Sequence, residues 1–243
     1  MEKIKLTIIV DDLNGTEPGY LKSFGFSLLI ELNNQKILFD TGTKEDILLK
    51  NLTNYGVNPS EINSVILSHN HYDHTNGLSG ILKYNPDVAV YVHKHWKKPI
   101  KKMSNSISHV NMNFVEQGGI VKEIDKNIYI TNAYMSPDYG GVYEQAIYIR
   151  TKDSLILICG CCHPGLNVFL KDRQNLEILE TTPLHIIGGF HGFKFNDEEA
   201  RILNFIIQSI VVCHCTRNIK VFKGQFKEKC HIGVIGRTMN FHI

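Results

Sequence analysis

Ser68-His69-Asn70-His71-Tyr72-Asp73-His74 is the stretch on which the reading of this chain turns. The apolar run 64–67 before it predicts a buried strand, and the apolar spacing over 75–84 after it predicts a helix. On extended backbone the imidazoles at 69 and 71 point the same way, because strand side chains alternate with period two. Asp73 and His74 then turn back over them as the next segment begins. Imidazole nitrogen and carboxylate oxygen are ligands that suit zinc, iron or manganese. The competing reading is an accidental polar loop. Three His and one Asp packed between a strand and a helix speak against it.

Working outward, the upstream part is strand-rich, with β-branched or apolar runs over 5–10, 26–32 and 36–40 separated by turn residues such as Asn33-Asn34. Residues 43–55 have helical spacing. Downstream, 88–92, 146–151, 155–159, 184–188, 211–213 and 232–235 read as strands, and 165–179 and 197–210 as helices. The Lys- and Ser-rich stretch 96–113 reads as an exposed excursion, and 136–143, with Pro137, Gly140 and Gly141, as a loop. Hairpin-like strands followed by alternating strands and helices predict a layered α/β protein. With no repeat, linker or low-complexity tract, residues 1–243 are expected to form one domain.

Further ligand candidates follow later strands: His163 in Cys159-Gly160-Cys161-Cys162-His163-Pro164-Gly165, His191 in Gly188-Gly189-Phe190-His191, and His214 in Cys213-His214-Cys215-Thr216. Ligands in layered α/β proteins gather beyond one set of strand ends, so these can converge on the first cluster. Cys161, Cys162, Cys213 and Cys215 lack paired C-x₂-C spacing and are expected to be small buried packing residues. His93 and His95 are expected at the surface. His109, His185, His231 and His242 are isolated and take no role.

Composition narrows the function classes. The formal charge of +2, from 26 Lys and Arg against 24 Asp and Glu, gives no basic stripe for nucleic acid. No apolar run approaches the ~18 residues of a membrane span. Met1-Glu2-Lys3-Ile4-Lys5 leads directly into a β-like run, and with six Cys read as reduced thiols the expectation is a cytoplasmic protein with a small-molecule substrate. No G-x-S-x-G element signals a covalent nucleophile.

The segment 68–74 resembles the HxHxDH signature of the metallo-β-lactamase superfamily, and Phe39-Asp40-Thr41-Gly42 resembles its FDTG element. Gly25 to Glu31, Glu144-Gln145-Ala146, Gly160-Cys161-Cys162-His163, Gly188-Gly189-Phe190-His191 and His214-Cys215-Thr216 resemble the branch of metal-dependent hydrolases of β-lactamase superfamily II. That branch includes a dihydropteroate-synthase-like enzyme of the methanopterin pathway. The resemblance implies a four-layer αββα sandwich with a one- or two-metal site at one edge of paired sheets. It implies that His69, His71 and His163 hold a first metal, and Asp73, His74 and His214 a second. The superfamily's bridging Asp follows the strand that corresponds to 184–188. Here no Asp stands there, and His191 is the obvious substitute. Arg217 also departs from the Gly that typically follows HCT in that branch. Asp40 is expected to accept the free N–H of a ligating imidazole and fix its tautomer.

The expected cofactor is Zn2+, as one or two ions, with Fe, Mn or Mg as alternatives. The expected activity is hydrolysis of a small ester, lactone or phosphoester by a metal-activated hydroxide, with Asp73 as both ligand and catalytic proton acceptor. The alternative is a dihydropteroate-synthase-like transferase that joins a pterin methyl diphosphate to an aminobenzene-type acceptor, with Lys194, Arg217 or Arg237 as phosphate donors. A metal-binding sensor without catalysis is the third reading.

Overall fold

Two sheets face one another in the computed structural model, which describes residues 3–13, 15–96, 111–116, 125, 127–174 and 177–243. The first is built from β1 (Lys3–Val10), β2 (Ser27–Leu32), β3 (Gln35–Phe39), β4 (Ser64–Ile66), β5 (Ala89–His93), β6 (Asn111–Val115) and, from the far end of the chain, β15 (Thr238–His242). Their spatial order is β15-β1-β2-β3-β4-β5-β6. The second contains β7 (Ile128–Ile130), β10 (Ile147–Arg150), β11 (Leu155–Cys159), β12 (Leu184–Gly188), β13 (Ile207–Val212) and β14 (Cys230–Ile232), in the order β14-β13-β12-β11-β10-β7. A separate hairpin joins β8 (Tyr134–Ser136) to β9 (Val142–Glu144).

Three apolar layers follow from strand periodicity. On β2, Leu28, Ile30 and Leu32 face the space between the sheets, while Leu29 faces the other way. On β11, Ile156 and Ile158 face inward, and Leu155, Leu157 and Cys159 face outward. Both outward faces are covered by helices, so these strands read as continuous apolar runs. Helices α1 (Glu45–Tyr55) and α3 (Leu78–Tyr84) cover the first sheet through Leu48, Leu52 and Ile81. Helices α4 (Leu166–Lys171), α5 (Asp197–Leu203) and α6 (Ile219–Phe226) cover the second through Phe169, Ala200 and Phe222. The architecture is the αββα sandwich that the resemblance implies.

Several element boundaries differ from expectation. The segment 75–84 is two helices, α2 (Tyr72–Thr75) and α3, so the helix begins inside the His-rich cluster. The expected helix 197–210 stops at Leu203, and Ile207–Val212 is β13, because its isoleucines and valines line a buried strand between β12 and β14. The expected helix 165–179 shortens to α4. Strands β6 to β9 and β15, and helix α6, complete elements that the pattern did not mark. Of the expected excursion 96–113, residues 97–110 (His109 among them) lie outside the described residues. Trp96 is buried, and Asn111–Asn113 pair in β6.

Strands β3, β4 and β5 run parallel, as do β11, β12 and β13. Their carboxyl ends therefore deliver Asp40, the 68–74 loop, the 160–163 loop, His191 and His214 to one edge of the sandwich. The 68–74 loop is locked there by amides of the first sheet's connections. Phe26 N donates to Asp73 O, and Thr41 N to His74 O. Gly25 makes this approach possible. Its φ is +108°, and a Cβ there would stand 2.1 Å from Asp73 O.

Candidate metal centre

Asp40 organises the first side of the site. It is fully buried with φ 59°, and its carboxylate accepts from Ser68 N and Ser68 Oγ, each at 2.7 Å. The same carboxylate lies 2.7 Å from His74 Nδ1, which turns His74 Nε2 towards the site. The contact has the geometry by which a carboxylate fixes the tautomer of a ligating imidazole. Burial opposes a charge on His74, but Asp40 and Asp73 raise its affinity for a proton overall.

His69, His71 and His163 come together from two loops. Each offers a donor atom within 4.8 Å of the others'. The His163 ring centroid is 5.0 Å from that of His69 and 4.8 Å from that of His71. Burial, reinforced by the neighbouring imidazoles, pushes His69 well below the usual histidine range and His163 down to about 4. Both rings are thus neutral near pH 7, the form that ligates a cation.

Asp73, His74 and His214 make a second trio within the same 4.8 Å limit. Asp73 Oδ2 is 3.1 Å from His214 Nε2 and 3.8 Å from His74 Nε2. Burial favours the protonated Asp73 carboxyl, yet the hydrogen bond from His214 and the charges around it hold the group well below the usual carboxylate range. Burial also opposes a charge on His214, but Asp12 and Asp73 together push it up to about 10. The second trio thus gathers protons against Asp73, protons that a bound cation would displace, and in donor type and spacing both trios fit a metal ion.

The expected bridging residue sits elsewhere. His191, with φ 41°, shares a donor trio with Asp138 and His163, its ring 4.9 Å from that of His163. Among the described residues it joins no trio with Asp73, His74 or His214. Cys161, Cys162 and Cys213 are buried, as expected, and Cys215 is partly so. Cys162 lies in the core beneath the helices and Cys213 in the core between the sheets, as expected. Cys161 Sγ instead lies 3.1 Å from His74 Nε2 and 3.2 Å from Cys215 Sγ. It belongs to one trio with His69 and His74 and to another with His214 and Cys215.

Other site residues lie outside the sequence expectation. Asp12 stands 2.5 Å from His214 Nδ1 and plays for His214 the part that Asp40 plays for His74. Asp11 Oδ1 accepts from His214 N, and burial raises its carboxyl to about 6. Buried Glu144 accepts from the amides of Cys161, Cys162 and His163 and so fixes the loop carrying two site side chains. Burial raises its carboxyl to about 7, against the pull of those amides. An acidic pair just after the first strand was the available signal for Asp11 and Asp12.

An open cavity of about 520 Å³ lies over the centre, walled by Phe24, Tyr72 and Arg217 besides the ligand candidates. Of the expected phosphate donors only Arg217 lines it. Arg237 pairs with Glu17 elsewhere, and Lys194 is exposed. His93 is not at the surface. It is buried because β5 runs between β4 and β6 and Trp96 folds back over the strand end, and His95 stacks on Tyr143 at 4.1 Å.

Known proteins resemble this chain in sequence and fold. The family model of the metallo-beta-lactamase superfamily matches residues 22–133. A 7,8-dihydropterin-6-methyl-4-(beta-D-ribofuranosyl)-aminobenzene-5'-phosphate synthase of Methanocaldococcus jannaschii is 28% identical over 97% of this chain and 97% of its own length. A solved metal-dependent hydrolase of the beta-lactamase superfamily is 25% identical with a TM-score of 0.74, covering 97% of this chain and 98% of its own. The metallo-beta-lactamase fold protein YhfI of Bacillus subtilis, 15% identical, superposes with a TM-score of 0.66 over 98% of this chain and 99% of its own. Motif, facing sheets, strand-end trios and full-length relatives coincide: the chain is an enzyme with the metallo-β-lactamase fold, similar in sequence to proteins of that superfamily.

Proposed function

We propose that this enzyme is a metal-dependent hydrolase of a small-molecule ester, lactone or phosphoester. The observation that carries the reading is the pair of donor trios beneath one open cavity, which is lined by His71 and His163 of the first and by Asp73 and His214 of the second. A divalent cation held by these side chains, zinc first among the candidates, supplies Lewis acidity to a carbonyl or phosphoryl oxygen and lowers the pKa of water towards ~7. The remaining work falls to the chain. Asp73 is held ionised and faces the cavity, so its carboxylate can take the proton that an attacking water loses. Asp12 and Asp40 fix the tautomers of His214 and His74, and Glu144 fixes the loop that carries His163. Arg217 offers a guanidinium for an anionic group, while Phe24 and Tyr72 give the cavity an aromatic wall.

The second reading is the dihydropteroate-synthase-like transferase. It is favoured by the full-length relationship to the Methanocaldococcus synthase and by Arg217 on the cavity wall. In that reading Arg217 holds a leaving diphosphate, and the aromatic wall receives a flat ring.

The test is a panel of ester, lactone, phosphodiester and pterin-methyl-diphosphate substrates, the last with an aminobenzene acceptor. Water-derived products from an ester, lactone or phosphodiester support the hydrolase. Condensation with the acceptor transfers the assignment to the second reading. No turnover by protein with its metal sites full overturns both and leaves the sensor.

A further inference from the structure

We infer that Cys161 supplies a bridging thiolate between the cations that the two donor trios would hold. The inference rests on the metal-dependent reading above and specifies its ligand set.

No carboxylate has room directly after β12. At Gly189, directly after β12, a Cβ would stand 2.4 Å from Gly160 O, 2.5 Å from His214 O and 2.8 Å from Cys215 Sγ. Neither backbone oxygen can give way as a flexible side chain would, so Gly189 cannot become Asp without rebuilding three loops. His191, two residues on, reaches His163 and Asp138 rather than the second trio.

Cys161 reaches both trios. Its sulfur is grouped with His69 of the first trio, and with His74 and His214 of the second. Outside the two trios, no other side chain among the described residues shares donor groups with members of both. Its backbone is fixed by the bond from Cys161 N to Glu144, within the same three-amide clamp that fixes His163. The sulfur is thus held by the main chain and does not depend on a flexible approach.

Thiolate is a strong ligand for zinc, and a sulfur with several lone pairs can bind two cations. On metal binding the thiol S–H bond breaks, its proton passes to solvent, and the sulfur electron pair forms the bond to the cation. No oxidant or reductant is involved. Cys215, 3.2 Å from Cys161, accepts from His191 N and is the neighbour against which the assignment is checked.

The experiment loads the full chain with zinc, counts the bound metal and records zinc-edge X-ray absorption. The wild type is expected to hold two equivalents and show a sulfur shell at roughly 2.3 Å. Cys161→Ser is expected to lose that shell and fall below two equivalents, while Cys161→Asp loses the shell but keeps two. Cys215→Ser is expected to retain the shell. Two zinc equivalents in the wild type with nitrogen and oxygen neighbours alone would overturn the bridging thiolate while leaving the metal centre intact. So would a shell that survives Cys161→Ser or disappears in Cys215→Ser. A wild type that binds no zinc, iron or manganese would overturn the metal-dependent reading itself. The wild-type spectrum decides the matter even if a variant does not fold.

Discussion

Asp73 accepts from His214 at 3.1 Å and also faces the cavity, so one carboxylate joins the second trio to the space where substrate would lie. Asp73→Asn keeps the size and one oxygen ligand but removes the proton acceptor. The expected loss in turnover is ~10²–10⁴-fold with only partial loss of metal. Steady-state rates on whichever substrate is turned over, set beside metal content, check this. Near wild-type hydrolysis would remove Asp73 from the chemistry. Asp12→Ala tests the residue that sequence reading missed. Without its acceptor the His214 ring loses its fixed tautomer, and metal affinity is expected to fall ~10–100-fold in competitive titration against a chelator. The ligand candidates of 68–74 were legible because they are consecutive and of one chemical kind. Asp12 was not, because it meets His214 across 202 positions of chain. That Cys161 lies against the ligand candidates was not legible, because a single thiol beside a histidine has no spacing signature; only the folded loop shows where it points.

The loops at strand ends are the elements that make the centre, and Glu144 holds one of them through three amides. Removing this carboxylate strands buried donors, at ~1–3 kcal/mol for each amide left unsatisfied. Glu144→Ala is therefore expected to destabilise the metal-free protein by at least ~3 kcal/mol, read from urea unfolding. A change below ~1 kcal/mol would show that the loop holds itself. Strands 155–159 and 184–188 were legible to the residue, because, half-buried His185 apart, both their faces are buried and apolar. Helix ends were less so. Beyond Leu203 the apolar residues of 204–210 fit a helix as well as a strand by spacing, and pairing with β12 decides for the strand. The break between α2 and α3 likewise comes from packing, since Gly77 N donates to Gly42 O of the neighbouring loop.

On the scale of the whole molecule, the candidate ligands come from opposite halves of the sandwich. The 68–74 loop follows β4 of the first sheet, whereas His163 and His214 follow β11 and β13 of the second. A cation held by both groups would tie the two sheets together at their open edge, and folding and metal binding become linked. A ligand present at ~1,000 times its Kd stabilises the folded state by ~4 kcal/mol. For a chain of this size each kcal/mol moves Tm by about 2–4 °C. The most direct test is the metal content and melting temperature of purified wild type and His71→Ala, measured side by side. The wild type is expected to carry between one and two equivalents of transition metal and to lose on the order of 10 °C in Tm when chelated. His71→Ala is expected to have lost most of the metal and to melt near the chelated wild type. Full metal occupancy in His71→Ala, with an unchanged Tm, would contradict the account.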